Sequence, residues 1–149
     1  MTGAASGIGR AIALALAREG VDLYLVDIDD LKIDPVAREA RAHGVEVRTV
    51  HCDLARPEEI TALVENVLRG WGRLNILVNN AGVAHRGPTH EMSSDEWNRL
   101  LAVNLMAPIQ LVRQFPFCGR TRRTFSTSAA SSVSWARARR LPIRPASSL

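Results

Sequence analysis

The chain has 149 residues, of which 46% are hydrophobic and 23% are charged, a composition typical of one soluble domain with a substantial core. No apolar run approaches the roughly 20 residues that a membrane-spanning helix needs, and no signal peptide precedes the first motif, which begins at Thr2. Cys52 and Cys118 are too few and too far apart for a disulfide framework or a metal site, so we expect a cytoplasmic protein without a bound metal.

The net charge of +4 is a property of the C-terminal part of the chain. Residues 1–96 contain all 15 acidic residues against 10 Lys and Arg, a net charge of −5. Residues 97–149 contain 9 Arg and no Lys, Asp or Glu, a net charge of +9. The basic pI therefore describes the tail and says little about what the folded part binds.

Strand and helix patterns alternate over the first 115 residues. Asp34 and Pro35 are typical of the N-cap and first position of a helix. Ser93 and Glu96 have the spacing of a capping box ahead of a long helix. Strands that alternate with helices predict a mostly parallel sheet with helices on both faces. Besides the one that begins at Asp34, the predicted helices cover 11–18, 57–69 and 94–114, and the predicted strands cover 22–26, 45–50 and 74–79.

The alternating pattern ends at about Phe115. From 121 to 149, 10 of 29 residues are Ser or Thr, and neither strand nor helix periodicity persists. We therefore predict one domain over 1–115 and an Arg/Ser-rich tail over 116–149 that is disordered or packs poorly.

The segment from Thr2 to Gly9 is a Gly-rich turn that leads directly into a helix. Glycines permit a tight turn and close approach of a pyrophosphate, and a helix N-terminus supplies free N–H groups, although such clusters also occur in ordinary turns. Asp27 closes the next strand, 18 residues after Gly9, where a carboxylate can accept hydrogen bonds from an adenosine ribose. Taken alone, Asp27 fits a solvated strand end equally well.

Asparagines add to this pattern. Asn79 and Asn80 begin Asn-Asn-Ala-Gly at the end of a predicted strand, and Asn104 lies within the long helix. Each one alone is compatible with turn chemistry or with a tolerated polar residue. Together with the Gly-rich turn, Asp27 and the Cys-Asp-Leu sequence at 52–54, they resemble the short-chain dehydrogenase/reductase family in order, spacing and context.

The resemblance covers residues 2–115 and implies a Rossmann-type, doubly wound α/β sheet that binds a nicotinamide cofactor. It implies that Asn79 is structural and that the carbonyl of Asn104 holds a water in a catalytic proton relay. Since Asp27 would repel a 2′-phosphate, we expect NAD to be preferred over NADP. The cofactor-binding residues implied by the resemblance are Gly3, Ser6, Gly7, Ile8, Gly9, Asp27, Asp53, Leu54, Asn80, Ala81 and Gly82.

The chain departs from the family where the catalytic residues are expected. The resemblance implies a Tyr as general acid/base, a Lys four residues later that lowers its pKa, and a Ser that holds the substrate oxygen. The chain has one Tyr and one Lys, Tyr24 and Lys32, and both precede Asn104 instead of following it. The family also places a central strand before the Gly-rich turn, whereas Met1 adjoins Thr2, so we expect an N-terminal truncation.

A shift of reading frame near 115–122 would explain the tail. In the shifted frame, the codons of Arg123 to Ala130 permit His-Ile-Leu-Asn-Ile-Ser-Ser, and those of Pro142 to Leu149 permit Tyr-Thr-Ala-Ser-Lys-Phe-Ala. The second Ser codon and the Tyr codon would lie 13 codons apart, the separation expected in the family. We therefore expect the missing catalytic residues to be encoded out of frame.

The sequence thus predicts an incomplete Rossmann-type unit of an NAD(P)-dependent oxidoreductase that acts on a small alcohol or carbonyl substrate and whose intact relatives are homo-oligomeric. A non-catalytic nucleotide-binding fragment is the first alternative, because the chain as written lacks the family's Tyr and Lys. A nucleic-acid-binding protein that uses the Arg-rich tail is the second. It is disfavoured, because the tail offers only Phe125 and Trp135 for base stacking and has no recognisable motif.

Overall fold

Strands and helices alternate along the chain, as the sequence predicts. The computed structural model describes residues 1–115 and the backbone of residues 123–126. The elements in chain order are α1 (Gly7–Arg18), β1 (Leu23–Asp27), α2 (Asp30–Arg41), β2 (Val47–His51), α3 (Pro57–Trp71), β3 (Ile76–Asn79), a short 3-10 turn (Thr89–Glu91), α4 (Ser94–Leu101), a π-helical turn (Ala102–Met106), α5 (Ala107–Gln114) and β4 (Arg123–Ser126).

The strands form two parallel pairs that the first residues of the chain join. β1 pairs with β2, and β3 pairs with β4. Between the pairs, the Val26 N–H donates to the Met1 carbonyl at 2.9 Å, and the Thr2 N–H donates to the Val78 carbonyl at 3.0 Å. Residues 1 and 2 therefore occupy the middle of an incomplete parallel sheet.

Helices cover both faces of this sheet because the side chains of β1 alternate between two cores. Leu23 and Leu25 pack with buried residues of α1 and α2. Tyr24 and Val26 point to the other face and pack with buried residues of α3 and α5. This two-sided burial is what a doubly wound α/β fold requires, so the predicted fold class is confirmed.

Two predicted helix starts have different outcomes. The capping box of α4 is confirmed, since Ser93 Oγ accepts from the Glu96 N–H and the Glu96 carboxylate accepts from the Ser93 N–H. The prediction that Asp34 and Pro35 begin a helix is wrong. Asp29 caps α2 instead, by accepting from the Lys32 N–H at 3.1 Å, and Pro35 lies inside the helix. One proline removes only one N–H donor from the helix, which the earlier cap offsets.

The predicted tail contains a short regular element. β4 pairs with β3 in parallel, with Arg123 opposite Ile76. The backbone pairing of these four residues does not test how well the tail packs, so poor packing of the tail stays a prediction. The open edge of β3 offers backbone partners whatever side chains the added strand carries. The remainder of the predicted tail lies outside the described residues.

Candidate functional site

An open groove of about 370 Å³ lies at the carboxyl ends of β1 and β3. All eleven residues predicted to bind a cofactor line it. The topology explains this convergence, because parallel strands end at the same edge of a sheet and their loops meet there. The groove is also lined by residues that the sequence analysis missed: Val26, Ile28, Cys52, Val83, Arg99 and Val103. For Arg99 and Val103 a signal existed, since they lie four residues apart and so share one helix face beside Asn104.

At Gly3 and Gly9, the Gly-rich turn lies so close to neighbouring atoms that a side chain would have no room. Gly3 has a φ of +65°, and a Cβ there would lie 2.7 Å from the Ala81 Cα. A Cβ on Gly9 would overlap the Gly3 carbonyl oxygen and lie 2.5 Å from Asn80 Nδ2. These two glycines therefore let the start of α1 and the end of β3 approach the turn directly.

Asn80 holds this turn in place. Its Nδ2 donates to the Gly3 carbonyl at 2.9 Å and to the Thr2 carbonyl at 3.3 Å. The Asn80 and Ala81 N–H groups both donate to Thr2 Oγ1, at 3.1 and 3.2 Å. Asn79, which precedes them, is buried. The Asn-Asn-Ala-Gly segment thus builds the floor of the groove and fixes the Gly-rich turn above it.

Asp27 connects the end of β1 to the same turn. Its Oδ2 accepts from the Ala5 N–H at 2.9 Å, and its Oδ1 accepts from the N–H groups of Ile28 at 2.9 Å and Asp29 at 3.1 Å. A carboxylate has about four lone-pair sites, so three hydrogen bonds leave room for another donor. The side chain therefore both supports the turn and presents a negative charge to the groove.

Asp53 and Leu54 lie on the loop that follows β2. Asp53 Oδ1 accepts from the Ala55 N–H at 3.0 Å, and its Oδ2 faces Arg99 Nη1 at 3.4 Å. Burial favours a higher pKa for Asp53, but the Ala55 hydrogen bond and the positive charges of Arg99 and Arg56 outweigh it, so this pKa is lowered and the carboxylate is charged at neutral pH. Leu54 is buried beside it.

Cys52 adds a neutral, apolar side chain to the wall of the groove. Burial, with the negative charges of Glu59 and Asp53, raises the pKa of its thiol to about 11. The thiol is therefore protonated at neutral pH, which makes it a poor nucleophile and metal ligand.

Asn104 lies beside the groove, although it is not one of its lining residues. Its Oδ1 accepts from the Val83 N–H at 2.9 Å, and its Nδ2 donates to the Val83 carbonyl at 2.8 Å. The long helix predicted over 94–114 is interrupted here by the π-helical turn between α4 and α5. π-Helical turns inside α-helices occur frequently at functional sites.

The Tyr and Lys of the chain are engaged elsewhere. The Tyr24 ring is buried and packs edge-on against Trp71, with ring centroids 5.2 Å apart. Lys32 Nζ forms an ion pair with Asp29 Oδ2 at 2.6 Å.

In the described part of the chain, no three His, Cys, Asp or Glu side chains are grouped so that they could hold a metal ion. None of the helices there has the length and apolar character of a membrane span.

The sequence and the fold of the chain are similar to those of known proteins. A D-threitol dehydrogenase from Mycolicibacterium smegmatis is 39% identical over 105 residues, which are 70% of this chain and 40% of that protein. The crystal structure of a metagenomic short-chain oxidoreductase in complex with NADP has a TM-score of 0.74 and 45% identity, over 76% of this chain and 52% of that one. An NAD+-bound xylitol dehydrogenase has a TM-score of 0.71 and 32% identity, over 76% and 44% of the two chains.

The chain therefore spans about half the length of these proteins or less. The model of the family described as short chain dehydrogenase matches residues 1–118, which is most of the chain. The resemblance that the motifs indicated is confirmed: the chain belongs to the short-chain dehydrogenase family of oxidoreductases and has its Rossmann-like α/β fold.

Proposed function

We propose that residues 1–115 are the nucleotide-binding unit of an enzyme that transfers hydride between NAD and a small alcohol or carbonyl substrate. The observation that supports this most is the convergence of a Gly-rich turn, a strand-end carboxylate and the Asn-Asn-Ala-Gly segment on one groove. When bound, the nicotinamide cofactor supplies the hydride acceptor or donor, and residues of this chain bind and orient it. By resemblance to the family, we also infer a cytoplasmic, homo-oligomeric full-length protein.

The residues present fit a dinucleotide. The first turn of α1 is Gly-Ile-Gly and carries no acidic residue, so the positive end of the helix dipole is available to a pyrophosphate. Ser6, the N-cap residue, has extended backbone and makes no side-chain cap to this helix. The backbone of Gly3, Gly7 and Gly9 would then lie against the phosphates, with Ser6 and Ile8 beside the cofactor.

Asp27 supports NAD as the preferred cofactor. Its remaining hydrogen-bonding capacity suits a ribose hydroxyl, while its charge opposes a 2′-phosphate at the same place. Two unit charges about 4 Å apart interact by roughly 1 kcal/mol in water and roughly 4 kcal/mol near a protein surface. A factor of ten in affinity corresponds to about 1.4 kcal/mol, so the near-surface value suffices for a preference of about tenfold or more.

Asn104 contributes through its backbone in this proposal. Its side chain is committed to Val83 by two hydrogen bonds, which leaves the main-chain carbonyl to hold a water for proton transfer. The π-helical turn supports this role, because it departs from the regular hydrogen-bonding pattern of the helix.

The engagement of Tyr24 and Lys32 favours a second candidate for the chain as written, a nucleotide-binding protein without catalysis. Tyr24 is buried against Trp71, and Lys32 is paired with Asp29, so neither is arranged as a general acid/base with its activator. Binding without turnover would distinguish this candidate from the enzyme.

Calorimetric titration of the chain with NAD and NADP tests the proposal. We expect NAD to bind about tenfold more tightly or better, and Asp27→Asn, which removes the charge and keeps an acceptor oxygen, to reduce this ratio. Asp22→Asn is the matched control, because Asp22 precedes β1 at the end opposite Asp27 and accepts from the Glu46 N–H at 2.8 Å. Equal affinity of the unchanged protein for both cofactors would contradict the role of Asp27, and binding of neither would contradict the nucleotide site.

A further inference from the structure

Arg99 is a groove residue that the proposed function leaves without a role. It belongs to α4, lines the groove, and its Nη1 lies 3.4 Å from Asp53 Oδ2. The two residues come from distant parts of the chain, α4 and the loop after β2. Their ion pair therefore links two different elements across one end of the groove.

The carboxylate of Asp53 has two competing cationic partners. Arg99 Nη1 is 3.4 Å from Oδ2, and Arg56 Nε is 4.0 Å from the same oxygen. Arg56 also pairs with Glu59, at 3.5 Å, and it is not one of the groove-lining residues. Asp53 is only 16% exposed. The Ala55 N–H holds its Oδ1 at 3.0 Å, so the two arginines compete for Oδ2 alone. Without Arg99, Arg56 is the one cation left beside Oδ2 among the ion pairs of the described residues, and its attraction acts away from the groove.

The neighbours of this ion pair suit a flat, aromatic base. Val103 lies one helical turn after Arg99 and lines the same groove, and Leu54 lines it from the loop after β2. Both side chains are buried and apolar. Two apolar side chains beside a charged acceptor match a base with an amino group on its edge, whereas a base with a carbonyl there would face a negative charge.

We propose that Arg99 is a positioning residue that keeps Asp53 Oδ2 directed at the amino group of adenine, and thereby sets the preference of the groove for adenine over a purine that carries a carbonyl at that position. This inference rests on the proposed nucleotide site, in which the family resemblance already implies that Asp53 meets adenine, and adds Arg99 as the residue that positions Asp53. Arg99 is 48% exposed, so water screens the pair and its contribution to stability is small. We therefore expect the pair to affect orientation more than folding.

Calorimetric titrations with ADP and with inosine diphosphate, which differ in that one group, test the role of Arg99. The unchanged protein should bind ADP more tightly, and Arg99→Ala should lower the ADP-to-inosine-diphosphate affinity ratio by about three- to tenfold. Arg99→Lys keeps the positive charge and should retain most of the ratio. Arg56→Ala is the matched control, because it removes the competing cation outside the groove and should leave the ratio equal or higher.

The outcomes separate this inference from the proposed function. Failure of the unchanged protein to bind ADP would overturn both. An unchanged ratio in Arg99→Ala, or an equal loss of affinity for both nucleotides, would overturn the positioning role alone, because it would leave only a general attraction of Arg99 for phosphate. Circular dichroism of each variant, together with the Arg99→Lys arm, separates a loss of selectivity from a loss of fold.

Discussion

Replacing Gly9 by Ala should damage both the fold and the groove. Gly9 lies in the first turn of α1, and a Cβ there would overlap the Gly3 carbonyl oxygen. That oxygen cannot retreat freely, since it accepts from Asn80 Nδ2 at 2.9 Å, and the same Nδ2 would lie 2.5 Å from the new Cβ. Helix α1 must therefore move away from the turn, or the turn must give up its bond to Asn80.

Two opposing effects determine how far the free energy of unfolding changes in Gly9→Ala. Forcing an extra methyl group into a packed region costs about 1–3 kcal/mol, and contact with fixed backbone atoms favours the upper end of that range. Ala is better than Gly inside a helix by about 1 kcal/mol. The free energy of unfolding should therefore fall by about 2 kcal/mol, and ADP binding should be lost because the phosphate-facing turn is displaced.

Urea unfolding and ADP titration of Gly9→Ala measure these effects, with Gly70→Ala as the control. Gly70 lies inside α3, so it has the same helix-propensity gain, but its Cβ would meet only the flexible tip of Arg48. We expect Gly70→Ala to be neutral or stabilising by up to about 1 kcal/mol. Similar stability of the two variants, with ADP binding intact in Gly9→Ala, would refute the steric argument.

One further prediction concerns turnover. With Tyr24 buried and Lys32 paired, the chain should not reduce NAD with secondary alcohols, whereas a version with both the reading frame and the first strand restored should. Comparable rates from the two would contradict this, because they would place the catalytic base among the residues of this chain.

Local signals in the sequence predicted what depends on local physics. The short apolar run of β1 follows from burial on both faces of the sheet, and the Ser93–Glu96 capping box is a contact within one helical turn. The groove itself could also be predicted, because the order of strands, Gly-rich turn and strand-end Asp follows from chain connectivity. Predicting these features does not require knowing which residues far apart in the sequence are in contact.

The features that could not be predicted depend on tertiary contacts. Asp34 and Asp29 both precede segments that could form a helix, and in the structure Asp29 makes the capping hydrogen bond to the Lys32 N–H. The strand at Arg123–Ser126 depends on the open edge of β3 and not on its own periodicity. The contact of Arg99 with Asp53 joins residues 46 positions apart, so neither residue alone indicates it.

The residues proposed to bind the cofactor or to take part in proton transfer also build the groove, which determines how their roles can be separated. Asp27 accepts three backbone N–H groups, Asn80 binds the carbonyls of the Gly-rich turn, and Asn104 is paired with Val83. Removing any one of these side chains disturbs the scaffold before a ligand is present, so a loss of affinity alone does not identify a binding contact. A displaced turn weakens the binding of two closely related ligands equally, so it leaves the ratio of their affinities unchanged. That ratio reports only the interaction with the group in which the ligands differ, which is a 2′-phosphate for Asp27 and a purine amine for Asp53.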